Sequence, residues 1–219
     1  MKRQFPAFFT LFMLTVLALS TVSCSRTYYG AMEKIGIHKR EILVDRVQAG
    51  RDAQAKAQKQ FQSALEQFNS IVKLEETDLK KAYDKLNREY KKSKEAADNV
   101  SKRINKIESV ASALFKEWKS ELKQYQNQEL RRTSERQLET TREHYNQMLA
   151  SMKNAERSMQ PVLTIFHDNV LFLKHNLNAQ AIGSLQAEFA TLENHIEELI
   201  KNMNKAIASS DEFIANIKE

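Results

Sequence analysis

With 219 residues but only four glycines and two prolines, the chain lacks the turn residues that a multi-stranded sheet requires. Charged residues make up 28% of it, and the rest is rich in good helix formers, so an all-α fold is expected. The formal charge of +6 falls to +4 if Lys2 and Arg3 leave with a signal peptide, and so mild an excess needs no polyanionic partner to explain it.

The first element is a sorting signal. Met1-Lys2-Arg3 is basic, and the run from Phe5 to Leu19 is interrupted only by Pro6, Thr10 and Thr15. That run is shorter than the ~20 apolar residues of a membrane span and matches a secretory h-region. Behind it stand Ser20-Thr21-Val22-Ser23-Cys24, and Cys24 is the only cysteine. The pattern resembles the bacterial lipoprotein signal, in which the cysteine becomes the acylated first residue of the mature chain. Thr21 departs from the leucine preferred there, whereas the spacing and Ser23 fit; the alternative is an ordinary signal peptide with an incidental cysteine. Ser25, rather than aspartate, resembles sorting to the outer membrane. A lone cysteine also leaves no intramolecular disulfide to stabilise an exported chain. The expected organisation is signal peptide 1–23, anchor and tether 24–30, and one helical domain 31–219.

Four seams of apolar residues spaced by three and four follow. The first is Leu43, Val47, Gly50, Gln54, Ala57, Phe61, Ala64, Phe68 and Ile71, with Leu65 and Val72 widening it. The second runs Leu79, Tyr83, Leu86, Tyr90, Ser93, Ala97, Val100, Ile104, Ile107, Ala111, Leu114, Trp118, Glu121 and Tyr125; twelve of these fourteen are apolar or aromatic. A globular helix rarely holds a 3.5-residue period so long, which indicates coiled-coil or long-bundle packing. On this reading Trp118 and Ile107 are buried core residues. The third seam is Leu138, Thr141, Tyr145, Met148, Met152, Ala155, Met159, Val162, Phe166, Val170, Leu173 and Leu177. It continues in register past Pro161, where a kink rather than a reversal is expected. The last is Ile182, Leu185, Phe189, Leu192, Ile196, Leu199, Met203, Ala206, Ser210, Phe213 and Ile217.

Phase breaks at Leu74–Asp78, Gln126–Glu129 and Asn176–Asn178 mark turns, giving helices of roughly 31–74, 78–126, 129–176 and 179–217. Short connections make sequential helices antiparallel, so the expected architecture is an elongated up-down-up-down four-helix bundle. The competitor keeps Leu74–Asp78 helical, which would merge two helices into a rod and give a three-helix, BAR-like kinked bundle.

The chain offers no recognisable chemistry. His38, His144, His167, His175 and His195 never stand three or four apart, so no helical H-E-x-x-H or E-x-x-H ligand set exists. Phosphate-binding G-x-x-x-x-G-K-[ST] and nucleophilic G-x-S-x-G are absent as well. Met148, Met152 and Met159 fall on a seam and read as packing rather than as a soft-metal site. No catalytic residue, metal or cofactor is therefore expected. One polar cluster stands out as a candidate interaction turn: Lys174, His175, Asn176 and Asn178, at a helix reversal, where a simple capped turn is the plainer reading. Charge is uneven. Lys80–Lys106 carries ten basic and four acidic residues, and from Gln186 onward seven acids face three lysines. Solvated faces that pair helices explain this, and binding to anionic lipid or polymer is the sharper alternative.

Two stretches carry a family resemblance: LFKEWKSELKQYQNQELRRTSERQLETT (Leu114–Thr141) and PVLTIFHDNVLFLKHNLNAQAI (Pro161–Ile182). They resemble the proteobacterial family DUF2959, and the similarity spans almost the whole mature chain. The resemblance implies no activity, cofactor or catalytic residue. It implies secreted or lipid-anchored helical proteins, and it supports a turn at Leu74–Asp78, where glycine is common in the family and missing here.

Together these readings lead to the expectation of a non-enzymatic, lipid-anchored coiled-coil scaffold or adaptor of the cell envelope, an outer-membrane lipoprotein facing the periplasm. Its expected partners are the membrane, through the anchor, and a protein or a second copy, through the helices; nucleic acid and small-molecule substrates are not expected. The alternative is a membrane-surface or curvature-binding bundle.

Overall fold

The computed structural model describes residues 38–73, 79–176 and 179–218, with the backbone alone at 179–182 and 218. Four helices account for nearly all of it: α1 Lys39–Val72, α2 Leu79–Glu121, α3 Gln128–His175 and α4 Ala179–Lys218. The leader, Cys24 and the tether lie outside the described residues, as do Leu74–Asp78 and Asn178.

Each helix packs against its two neighbours in the order α1, α2, α3, α4 and back to α1, so α2 and α4 stand diagonally across the bundle. Adjacent helices are antiparallel. Lys39 near the start of α1 meets Glu117 near the end of α2 at 2.9 Å, and Lys153 of α3 meets Glu108 of α2 at 2.5 Å. Across α3/α4 Asn154 reaches Asn202, and across α4/α1 Gln58 reaches Asn204. The protein is the four-helix bundle, and α1 and α2 are separate antiparallel helices, which rules out the merged rod. The 48 residues of α3 extend for about 72 Å.

The heptad seams are the core. All nine positions of the first seam are buried, from Leu43 to Ile71. In α3 the run Tyr145–Leu173 is buried at every seam position, through Pro161, which is exposed. At the solvent face the carbonyl left without a donor by the proline ring can be hydrated, so the helix continues. Aromatic layers occupy both ends of the core. Phe68 contacts Phe166 and Phe189 at one end, and Tyr145 contacts Phe115 and Phe213 at the other, with ring centroids 5.4–6.2 Å apart. Burial, with the nearby Glu108 carboxylate, pushes the Tyr145 phenol up to about 12.

Between these layers large side chains such as Phe61 and Ile104 are interleaved with small or flexible ones, including Gln54, Ala57, Met152, Ala155 and Ala206. Gly50 shows how tight it is: a Cβ there would stand 2.8 Å from Ile107 Cδ1 and 3.1 Å from Met152 Cε, so both side-chain tips would have to move.

Two expectations need correction at the end where α2 turns into α3. The second helix stops at Glu121, not Gln126, and Tyr125 is exposed, while Leu122 is buried in its place. Asn127 explains this. Its backbone is extended, and its side chain accepts hydrogen bonds from the Glu129 and Leu130 N–H groups, so the reversal has to be complete before residue 127. Trp118 is half-buried rather than enclosed. Its Nε1 donates to Ser134 Oγ at 2.8 Å, and the Arg40 guanidinium lies 5.8 Å over its ring. The cause is unequal reach: α4 runs out level with His144, where Asn216 meets it, so about four turns of α3 lie beyond α4.

Candidate interaction surfaces

The reversal expected from the sequence brings Lys174, His175 and Asn176 together at the end of α3, and Asn178 lies outside the described residues. Lys174 and His175 are exposed. Asn176 closes the helix C-terminus, because its backbone N–H and its side-chain Nδ2 both donate to the Phe172 carbonyl at 3.0 Å. Beside it Leu171 and Phe172 are 44% and 38% exposed, large apolar side chains on the outer face of a helix end. The seam pattern does not single out these two residues. Their signal is the unbroken apolar run Val170-Leu171-Phe172-Leu173, four in a row where the seam uses only two. At the opposite end Tyr125 and Leu130 are 39% and 57% exposed beside the α2–α3 turn. Replacing His175 with alanine is expected to change unfolding stability by less than about 1 kcal/mol in a denaturant titration, as an exposed side chain with no enclosed contact should.

The basic stretch of α2 borders an open groove between α1 and α2, about 660 Å³ in volume, that includes Lys56, Gln60, Lys91, Lys92 and Lys102. Glu89 lies buried beside it, held by Lys92 Nζ and Gln60 Nε2, each at 2.9 Å. Burial alone would raise the Glu89 carboxyl. Hydrogen bonds from Lys92 and Gln60, with the charges of Lys92 and Arg88, outweigh it and hold the group below its ordinary value of 4.5. A carboxyl depressed in the folded state contributes stability above the unfolded value and loses it as pH falls through the folded one. Glu89→Gln should therefore melt below wild type at neutral pH, and the gap should close as pH drops below about 4.5. Melting curves followed by circular dichroism across that range test it; a gap independent of pH would mean the carboxylate charge contributes nothing.

The other histidines are dispersed. His167 packs against Tyr90 at 5.4 Å and lies 3.5 Å from the Asp168 carboxylate, and His144 faces Asn216. Among the described residues no group of three or more His, Cys, Asp or Glu side chains could hold a metal ion, and no helix is long and apolar enough to cross a membrane. What the geometry offers is outer faces, two ends and open grooves.

Among known families, the sequence model of one described as a protein of unknown function, DUF2959, matches residues 28–217. No curated protein and no solved structure matches.

Proposed function

We propose, for a chain that belongs to the DUF2959 family of proteins of unknown function, a non-enzymatic role as a scaffold or adaptor of the bacterial cell envelope. On this reading it is held in the outer membrane by acylation of Cys24 and faces the periplasm. One observation carries the proposal: an elongated bundle whose interior is filled along its length by its own seams, leaving its outer faces and its two ends to act.

The anchor follows from the signal-like leader and the position of the sole cysteine. Fourteen residues, Ser25–His38, separate Cys24 from the first turn of α1 and reach at most about 50 Å when extended. The α2–α3 turn and the end of α4 would then sit at the membrane-proximal end. The Lys174–Asn176 turn, with Leu171 and Phe172, would project beyond α1, whose own 34 residues span about 51 Å. Several acyl chains, at ~0.8 kcal/mol per buried CH₂, make such anchoring durable.

Cys24→Ala should abolish labelling by a palmitate analogue in cells and move the protein out of the membrane fraction, or leave its leader uncleaved. A wild-type chain that takes up no label would end the lipoprotein reading. In-cell crosslinking from Lys174 and Arg131, at opposite ends, then identifies what each end touches.

The excess of basic residues on α2 favours a second reading, binding to an anionic membrane surface. Co-sedimentation with liposomes separates the two: equal binding to neutral and anionic vesicles would exclude surface binding by charge.

A further inference from the structure

We propose that copies of this chain associate side by side in parallel, the α2 face of one against the α4 face of the next, through charge clusters that match along the bundle axis. Such association does not depend on the anchor.

Because α2 and α4 lie on opposite sides of the bundle and run in the same direction, translating one copy sideways without rotation brings its α4 face against the α2 face of a neighbour. The two helices carry opposite charge. Leu79–Glu121 has twelve basic and seven acidic residues, net +5, and Ala179–Lys218 has three basic and six acidic, net −3. Opposite faces of any bundle can differ in net charge; here the clusters also match in register.

Contacts within one copy fix which α2 and α4 residues stand level. Asp211 meets Arg51, and the neighbouring Gly50 stands over Arg103 and Ile107, so Asp211 and Glu212 are level with Lys102 and Lys106. Gln58 meets Asn204 and Gln60 meets Glu89 and Ser93, so Lys201 and Lys205 are level with Glu95 and Asp98. Ser70 meets Lys85, and the Val72 carbonyl accepts from Gln186, so Glu188 is level with Lys85. Between these levels Glu193, Glu197 and Glu198 stand level with Arg88, Lys91 and Lys92. The order along α4 is thus acidic, basic, acidic, and along α2 it is basic, acidic, basic. Parallel copies at equal height set α4 acids against α2 bases at both outer levels and Lys201 and Lys205 against Glu95 at the middle one, where Asp98 is already held by Lys94 at 2.7 Å; a shift of two or three turns sets like against like.

The exposed groups are available for this. Glu197, Glu198 and Glu212, like Lys91, Lys102 and Lys106, are exposed and enter no ion pair within the chain among the described residues. Each copy offers one face and uses the other, so the contact is heterologous and propagates as an open row instead of closing at a dimer. Exposed ion pairs are individually weak and screened by salt, so the row is reversible and strongest where copies are concentrated.

The test is sedimentation velocity of the full chain in non-ionic detergent, with two triple variants changed at the same levels, Lys91→Glu/Lys102→Glu/Lys106→Glu and Glu197→Lys/Glu198→Lys/Glu212→Lys. Thermal melts of both verify that they fold, and replacing exposed, unpaired side chains should leave each near wild type. Wild type should gain mass by about twofold or more at low ionic strength and return to monomer near 1 M salt, where the screening length is roughly 3 Å. Each variant alone carries the same sign on both faces and should remain monomeric. An equimolar mixture should associate again, because the two faces of one then match those of the other. A monomeric wild type at low salt overturns the proposal, as does a variant that associates on its own or a mixture that fails to. A wild type that stays monomeric while binding inorganic polyphosphate overturns it too, and assigns the α2 face to a polyanion.

Discussion

Phe68→Ala is expected to lower the melting temperature by about 6–20 °C, following a loss of about 3–5 kcal/mol at ~2–4 °C per kcal/mol for a domain of this size. Phe68 is fully buried in α1 and reaches across the core to Phe166 of α3, edge to face, and to Phe189 of α4, stacked, both at 6.1 Å. Truncation removes a large apolar side chain and both ring contacts, and three helices border the space it leaves. The long seams on either side resist collapse into it, because each helix is held in place by turns above and below. Trp118→Ala provides the contrast. Trp118 is larger and lies on the most regular seam, but it is half-buried and bounded by Arg40 and Ser134 rather than by the core. Its loss should cost about 1–2 kcal/mol, chiefly one hydrogen bond and partial burial. Thermal melts of both variants beside wild type decide the matter; equal losses would mean that the bundle encloses Trp118 in solution.

Gln54→Met should have the opposite sign and raise stability by about 1–3 kcal/mol. Gln54 occupies a seam position in α1, is fully buried, and its Oε1 meets no hydrogen-bond donor among the described residues. Its Nε2 reaches the Met152 carbonyl only at 3.4 Å. One amide thus loses its water for a single long bond, and methionine fills nearly the same volume without that loss. A polar residue at one seam position still has a use: it penalises slipped registers more than the native one. In a four-helix bundle of near-uniform seams, that discrimination is a reason to tolerate the loss. Urea titrations give the comparison. A destabilised Gln54→Met would mean the amide is satisfied in solution, by a bridging water at a site where one has two partners or more.

How much of this was legible in the sequence depends on whether the information was local. The seams were, because a 3.5-residue period repeats its signal at every heptad, and one polar interruption such as Ser93 or Gln54 does not erase it. The reversals were legible within a few residues because the seam changes phase there, but a stutter in a continuous helix shifts the phase too, which is why the merged rod competed at Leu74–Asp78. Asn127 shows the limit. It falls inside the expected turn, yet its role as the cap moved the end of α2 back to Glu121. The candidate turn at Lys174–Asn176 lies at a helix end as its residues indicate, but the seam pattern gave no sign of the exposed Leu171 and Phe172 beside it. Whether an apolar residue next to a seam is covered depends on how closely the neighbouring helix follows, and no residue in the chain encodes that alone.

The sequence by itself determined that this is an all-helical bundle of long elements, most of the residues that form its core, and the leader and cysteine from which anchoring is proposed, since each follows from the order of residues along one stretch. Tertiary structure alone decided three further things. It left Trp118 half-buried, because α4 stops level with His144 and α3 does not. It closed Gly50 against Ile107 and Met152, because three helices converge there. And it set α2 diagonal to α4, in parallel, with their charge clusters level. These depend on the relative lengths and offsets of helices far apart in sequence, which are settled only when all four seams are buried together.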